Sequence, residues 1–320
     1  MTKVSVIIPC YNCEGTIDKC LDSLAKQTYQ DYEIIAVNDG SADNTLLKLN
    51  QKKGIMKNLV IVNTNNNGVS NARNIGIEKS SAEFIAFVDS DDYVTEHYLE
   101  DLMSHNDQDL VVTGYVSGRS NNFIGGKSLH TKSFCDKSQY LVESLRAGVF
   151  GFVWGKLYCK KIILQNNVKM NPLWANYEDE DFNLRYMVHC KTIQTIDCCN
   201  YVYFEPEHGK SYRKTDYIHR ALEFLAIVKH LKNYQRHKDF INTWLLDRFL
   251  LGVLYNHQTL LKRLTVESLN IFKNDLLPYM SKCKMIKTEK RKKAILLSWF
   301  LLGNPSLLRI RFAFTIINKI

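Results

Sequence analysis

The first hundred residues alternate between short β-rich runs and stretches of helical spacing, and few folds accommodate that alternation. Val4 to Ile8, Ile34 to Val37, Leu59 to Val62 and Phe84 to Val88 read as strands, and Thr16 to Lys26, Thr45 to Lys53 and Ser70 to Ser80 read as the helices between them. A βαβα series predicts an α/β fold: a mostly parallel sheet with right-handed crossovers and ligand-binding loops at the carboxyl edge of its strands. Asp109 to Tyr115 predicts a further strand. From Ser117 to Lys132 a polar stretch containing Gly and Asn breaks the periodicity and marks a loop or subdomain boundary. Beyond Asp136 the pattern turns helical, with one β interlude at Ile193 to Tyr203.

The fourth run carries the chemistry. In Phe84-Ile85-Ala86-Phe87-Val88-Asp89-Ser90-Asp91-Asp92, an apolar strand ends in three carboxylates. Like charges this close repel unless a cation joins them, so Asp89 and Asp91, spaced to reach one ion, point to a Mg²⁺ or Mn²⁺ site of oxygen ligands. A cap or solvated turn is the plainer reading, because Asp and Ser also cap helices and a helix starts near Thr95. Strand one ends in Pro9-Cys10-Tyr11-Asn12 and lacks the GxGxxG turn of a dinucleotide fold, which argues against an NAD-dependent dehydrogenase. Strand two ends in Asn38-Asp39-Gly40-Ser41-Ala42-Asp43, where Gly40 permits a tight turn and Asp39 can accept hydrogen bonds from a base or ribose. Taken alone, that segment is a turn plus an N-cap. A second acidic cluster, Glu178-Asp179-Glu180-Asp181, precedes the apolar-periodic residues Phe182, Leu184, Tyr186 and Met187, and acids at the first turn of a helix need only its dipole as a reason.

Composition narrows the partners. Over 320 residues, 45% hydrophobic and 23% charged content fit a folded globular protein rather than a disordered one. The net charge of +9 suits nucleotide diphosphates or an acidic membrane, whereas nucleic acid would call for a denser basic stripe interleaved with aromatics, and none is expected as a partner. Nine cysteines, an odd number, and a start at Met1-Thr2-Lys3 that runs straight into a strand without a signal peptide predict a reducing, cytosolic compartment. Cys10 and Cys13 have CxxC spacing, but Cys198-Cys199 are adjacent and Cys283 stands alone, so no zinc set is completed and two small residues lining a loop is the better account.

Together, Val6-Ile7-Ile8-Pro9 with Tyr11-Asn12, then Asn38-Asp39-Gly40-Ser41, then Asn67-Gly68 with Ala72-Arg73-Asn74, then Asp89-Ser90-Asp91-Asp92 resemble glycosyltransferase family 2, inverting enzymes of the Rossmann-like GT-A fold, such as those that build bacterial surface polysaccharides. The likeness is closest over residues 1 to 115, continues more loosely through Trp154-Gly155-Lys156-Leu157-Tyr158 and Tyr177-Glu178-Asp179 to Tyr203 and Ser211, and fades after residue 215. The resemblance implies a nucleotide pocket lined by Pro9, Tyr11 and Glu14, with Tyr11 against the base, Asp39 on the edge of a uracil-like base, and Asn12, Asn67, Gly68 and Ser90 completing the sugar-nucleotide contacts. Arg73 would steer a phosphate or hold an acidic neighbour, a salt bridge to Asp89 or Asp91 being equally open. Asp91 would be the principal metal ligand, with Asp89 on the ribose or the ion. Asp179 matches the base that deprotonates the acceptor hydroxyl, and a helix N-terminus would hold its pKa low. His208, on a polar stretch with Gly209 and Ser211, would complete the metal shell, an ordinary surface imidazole being the alternative. The implied reaction moves a sugar from a nucleotide diphosphate, UDP above all, to a hydroxyl of a glycan or lipid-linked glycan. A sugar-nucleotide pyrophosphorylase would need a Gly-rich loop with Arg and Lys that Pro9 to Gly15 does not provide. A catalytically silent sugar-nucleotide-binding partner of a polysaccharide synthase complex is the alternative, and Asp91 with Asp179 argues against it.

The expected division is a catalytic domain at 1–215, its nucleotide-sugar half at 1–115 and its acceptor half at 116–215, followed by a helical region at 216–320. Lys284, Lys287, Lys290, Arg291, Lys292 and Lys293 form a basic run beside Ala294 to Leu302 and Leu307 to Ile317. The break at Asn304-Pro305 leaves these stretches too short to cross a bilayer. They suit an anionic membrane surface at the cytoplasmic face, or a helical pair packed on the catalytic domain or on a second copy of the chain.

Overall fold

β1 (Val4–Cys10) is buried along its whole length, and Val4, Val6, Ile7 and Ile8 give it the apolar side chains on both faces that a strand covered from both sides needs. The chain then runs through α1 (Ile17–Ala25), β2 (Tyr32–Asp39), α2 (Thr45–Lys53), β3 (Leu59–Thr64), α3 (Val69–Lys79) and β4 (Phe84–Phe87). These four strands form a parallel block in the order β3-β2-β1-β4, with Val6 opposite Ile34 and Ala86 and Ile34 opposite Leu59. Parallel strands end at one edge, so the loops after all four gather there. Pro9, which has no N–H to give to a ladder, stands beyond Ile7, the last residue of β1 paired with β4. α3 lies close against β1 because Gly76 has no side chain: a Cβ there would come within 2.3 Å of the Ile7 side chain. The same buried face of α3 carries Ser70, Ala72 and Arg73.

The computed structural model describes residues 2–119, 122–172, 178–204, 217–246, 270, 272–276 and 278–279. Two units make up the chain, Met1–Ser211 and Tyr212–Ile320. In the first, β5 (Tyr93–Val94), α4 (Tyr98–Met103), β6 (Leu110–Arg119), β7 (Asn122–Lys127), β8 (Lys132–Phe134), α5 (Lys137–Ala147), β9 (Lys156–Cys159), α6 (Lys160–Gln165), α7 (Glu178–Met187) and β10 (Ile193–Phe204) complete a ten-stranded sheet. Its second half is mixed: β10 runs parallel to β6, while β9 lies antiparallel between β4 and β6.

Two expectations change here. Most of the described residues from Ser117 to Lys132 are strand rather than loop, because β6 continues to Arg119 and pairs antiparallel with β7, Tyr115 opposite Lys127. Gly125 to Lys127 are exposed, and a strand pair open to solvent needs no continuous apolar alternation. Between Asp136 and Ile193 the chain is not purely helical either, since β9 enters the centre of the sheet. Four residues are too few to display a period of two.

In the second unit α8 (Tyr217–Lys229) is followed by side-chain ties at Lys229–Asp275 (2.7 Å) and Tyr234–Asn242 (2.6 Å). Among the described residues no helix is long and apolar enough to cross a membrane. The basic run and apolar stretches of 284–320 lie outside the described residues, as does His208.

Candidate active site

The loops at the carboxyl edge of the parallel block are laced together by their own side chains. Asn12, at φ 47°, donates its N–H to Ser41 Oγ and accepts from the Ala42 N–H through its Oδ1. Glu14 accepts from the Asn44 N–H at 2.9 Å, and the Glu14 N–H donates to Asp43. Gly40 allows this closeness, with φ at +69° and a Cβ that would meet the Asn66 nitrogen at 2.7 Å. Asp39 is buried and already engaged: its carboxylate accepts from Thr64 Oγ1 and the Asn67 N–H on Oδ1, and from the Gly68 N–H at 2.8 Å on Oδ2. Asp39, Asn67 and Gly68 therefore form one unit, in which the carboxylate shapes the loop before α3 and Oδ2 keeps a lone pair for a further donor. Tyr11, half exposed, projects from the same edge beside buried Pro9.

The acidic run after β4 separates into unlike groups. Asp92 is buried, accepts the Tyr201 hydroxyl on Oδ2 and the Phe204 N–H on Oδ1 at 2.7 Å each, and so anchors β10 to this loop. Burial, then Asp89 and Asp91 beside it, push its carboxyl up. Tyr201 also accepts the Asp89 N–H at 3.1 Å. Asp89 and Ser90 are half-buried and Asp91 exposed, and oxygens of Asp89, Asp91 and Asp92 all lie within 4.8 Å of one another. With both oxygens of Asp92 committed to the protein, Asp89 and Asp91 are the carboxylates a divalent ion would use. Hard oxygen donors at this spacing fit Mg²⁺ or Mn²⁺.

Arg73 joins this run to the second acidic cluster. Its guanidinium lies 2.6 Å from Asp89 Oδ1 and 2.7 Å from Asp179 Oδ1, with Glu178 at 3.8 Å. Burial alone would lower the Arg73 pKa, but the carboxylates of Asp179, Asp89 and Glu178 outweigh it and raise it. Of the two partners foreseen for Arg73, Asp89 is the one it takes, and Asp179, 106 positions away, is the one no spacing suggested.

Asp179 sits in the first turn of α7, where eight of ten residues are buried. Its other oxygen accepts the Val153 N–H at 3.3 Å. The expectation of a low pKa does not hold. Burial pushes the carboxyl up to about 7, with Glu178 and Asp89 adding to the rise and Arg73 and the Val153 N–H opposing it. The helix dipole falls off within a turn and is smaller than the cost of removing a carboxylate from water. A carboxylate that loses its proton near neutrality is matched to general-base work. Asp181 is spent differently, in an ion pair with Arg185 one turn on at 2.9 Å. Sequence reasoning missed the segment 149–153 as part of this site; its contribution is a backbone N–H, which leaves no mark on residue type.

Residues 5–164 match the model of the family described as Glycosyl transferase family 2. The chain is 31% identical over 210 residues to EpsH of Bacillus subtilis (strain 168), named as a glycosyltransferase, a match covering 62% of this chain and 60% of EpsH. It is 30% identical over 199 residues to the poly(ribitol-phosphate) beta-N-acetylglucosaminyltransferase TarP of Staphylococcus aureus (strain N315), covering 60% of this chain and 59% of TarP. The chain thus spans about three fifths of the length of these curated relatives. In fold it is similar to the crystal structure of S. aureus TarS 1–349 in complex with UDP-GlcNAc, with a TM-score of 0.70 at 19% identity over 99% of this chain and 92% of that one.

Proposed function

Because the chain belongs to glycosyl transferase family 2, we propose that it is an inverting glycosyltransferase that moves a sugar from a UDP-sugar to a hydroxyl of a glycan or lipid-linked glycan in surface polysaccharide or teichoic acid assembly. One observation carries the reading: a single buried guanidinium touches both Asp89, after the strand that opens the nucleotide edge, and Asp179, on the opposite acidic cluster. A base and a donor-side carboxylate so linked can face the two sides of one sugar carbon.

Asp179, ionised above about pH 7, takes the acceptor proton as the acceptor oxygen attacks the anomeric carbon, and one displacement inverts that carbon. Arg73 fixes the orientation of Asp179, and its Nε, with Glu178 Oε2, is buried without a partner among the described residues. Polar atoms of that kind suit the hydroxyls of a bound sugar. Asp89 and Asp91 would hold a divalent ion, and His208 would complete its shell. When bound, such an ion offsets the charge that develops on the departing diphosphate. Tyr11, Asn12, Glu14 and the Asp39-Asn67-Gly68 unit form the nucleotide pocket with Pro9 and Ser90. The choice of uridine is supported by TarS 1–349, whose crystals hold UDP-GlcNAc, and the acceptor class by TarP, named for poly(ribitol-phosphate). Residues 1–215 would form the catalytic domain. The basic residues of 284–320 would seat the chain on the inner face of the cell membrane or on a second copy.

A panel of UDP-, GDP- and dTDP-sugars with Mn²⁺, scored by thermal unfolding, tests this. A ligand at 100 times its Kd stabilises by about 2.7 kcal/mol, and only UDP compounds should reach that shift. Equal shifts from all three, or a UDP shift unchanged when Mn²⁺ is chelated, would overturn the donor or the metal assignment respectively.

A further inference from the structure

Lys156, the first residue of β9, is buried, and among the described residues no carboxylate pairs with it. Its ammonium instead donates to two backbone carbonyls, Phe152 at 2.6 Å and Val149 at 2.8 Å. The Phe152 carbonyl belongs to the same peptide unit as the Val153 N–H, and that N–H donates to Asp179 Oδ2 at 3.3 Å. A cation at the oxygen end and a carboxylate at the nitrogen end polarise one peptide in one sense, so each strengthens the hydrogen bond of the other. We propose that Lys156 is a positioning residue for Asp179, holding and polarising the Phe152–Val153 peptide so that its N–H stays aimed at the carboxylate. The catalytic meaning of this rests on the proposed role of Asp179 as base.

Grip alone does not call for a lysine at this place. Asn183 Nδ2 already donates to the Phe150 and Phe152 carbonyls, at 2.6 and 2.8 Å, and the Tyr158 hydroxyl lies 3.0 Å from the Val153 carbonyl and 2.6 Å from Asn183 Oδ1. Those neutral groups immobilise the 149–153 segment without a buried charge. The ammonium carries a desolvation cost that they avoid. Burial lowers its pKa, and the charge of Asp179 opposes that fall, so the ionised carboxylate favours the ammonium form. The groups facing Asp179 are Arg73 from α3, Glu178 on its own helix, Asp89 after β4, and Lys156 and Tyr158 from β9. Lys156 alone among them works through a peptide that also touches the carboxylate.

The test is an NMR titration of the full-length protein labelled with ¹³Cγ-aspartate, the Asp179 signal being the one lost in Asp179→Asn. In Lys156→Met the midpoint of Asp179 should rise by about one unit, because the ionised form loses a polarised donor and a nearby cation. Lys156→Arg, which keeps the cation, should titrate close to the unaltered protein. If the methionine protein does not fold, Lys156→Gln keeps a neutral donor at the carbonyl and should show the same rise. A purely structural lysine would lower the melting temperature of these proteins and leave the Asp179 midpoint in place, which would overturn the proposal. Sugar transfer by Asp179→Asn is read separately. Normal transfer there would remove the base assignment while leaving the titration result standing, and an unmoved midpoint beside an inactive Asp179→Asn protein would remove only the role of Lys156.

Discussion

Replacing Arg73 by methionine keeps a long apolar stem and deletes the charge on which three carboxylates converge, Asp89 and Asp179 closely and Glu178 at 3.8 Å. The side chain of Arg73 is 4% exposed, that of Asp179 13% and that of Asp89 25%, so Asp179 is left the worse solvated of the two. Removing one partner of a buried pair costs about 3–5 kcal/mol, because the charge left behind is uncompensated. For a unit of this size, at roughly 2–4 °C per kcal/mol, the melting temperature should fall by roughly 6–20 °C. The penalty should also depend on pH with a definite sign. Asp179 has a folded pKa of about 7, against about 3.9 for an unfolded aspartate, and losing Arg73 raises the folded value further. Between those values the folded protein binds more protons than the unfolded one, so stability from this group is fully present below the lower value and is lost as pH rises through the upper. The deficit of Arg73→Met should therefore be largest near pH ~8 and shrink near pH ~5.5, where a neutral carboxyl needs no cation. Urea unfolding at the two pH values, followed by tryptophan fluorescence, measures the gap. A deficit below about 1 kcal/mol at the higher pH, the value of an exposed pair, or a gap that widens on acidification, would refute the reasoning.

Asp179→Asn should bind UDP and Mn²⁺ as the unaltered protein does while transfer falls by a factor on the order of 10² to 10⁴; a normal rate, or a product with the donor's anomeric configuration by NMR, would remove Asp179 from its role. In the unaltered protein transfer should decline as pH drops through about 7, where Asp179 takes up its proton, and a flat rate profile there would point to another base. Asp91→Ala, altering an exposed loop residue, should abolish Mn²⁺-dependent donor binding by calorimetry with the melting temperature unchanged. Tyr201→Phe strips a donor from buried Asp92 and an acceptor from the Asp89 N–H; leaving a buried group unsatisfied costs about 1–3 kcal/mol, to be read in urea, and an unaffected midpoint would show that these contacts contribute nothing.

What could be read from the chain without its structure follows the range of the forces involved. The β1-to-β4 block was legible because short apolar runs separated by helical spacing admit few arrangements, and the motifs at the strand ends marked its working edge. Asp89, Asp91 and Asp179 were legible as carboxylates but not as neighbours: Arg73 reaches Asp179 across 106 positions, and nothing local in Ala72-Arg73-Asn74 encodes that distance. The state of Asp179 was misread for a related reason. A helix dipole can be inferred from four acids in a row, whereas burial depends on what packs over the turn. Asp92 shows the same limit, since nothing in the acidic run marks its partners in space, Tyr201 and Phe204, which make it an anchor.

The place of β9 has a consequence for how the protein is made. Sheet order and chain order disagree at this point: β4 ends at Phe87 and β6 begins at Leu110, yet the strand between them starts at Lys156. Until that segment leaves the ribosome, β4 and β6 each lack the neighbour that pairs with them at three positions, and unpaired strand margins are where chains pair with the wrong neighbour. The family match runs to residue 164, just past this strand. A fragment ending before Lys156 would lack the segment that joins the two halves of the sheet, and fragments intended for expression should be cut after β10, which pairs with β6, rather than at the polar stretch near residue 120.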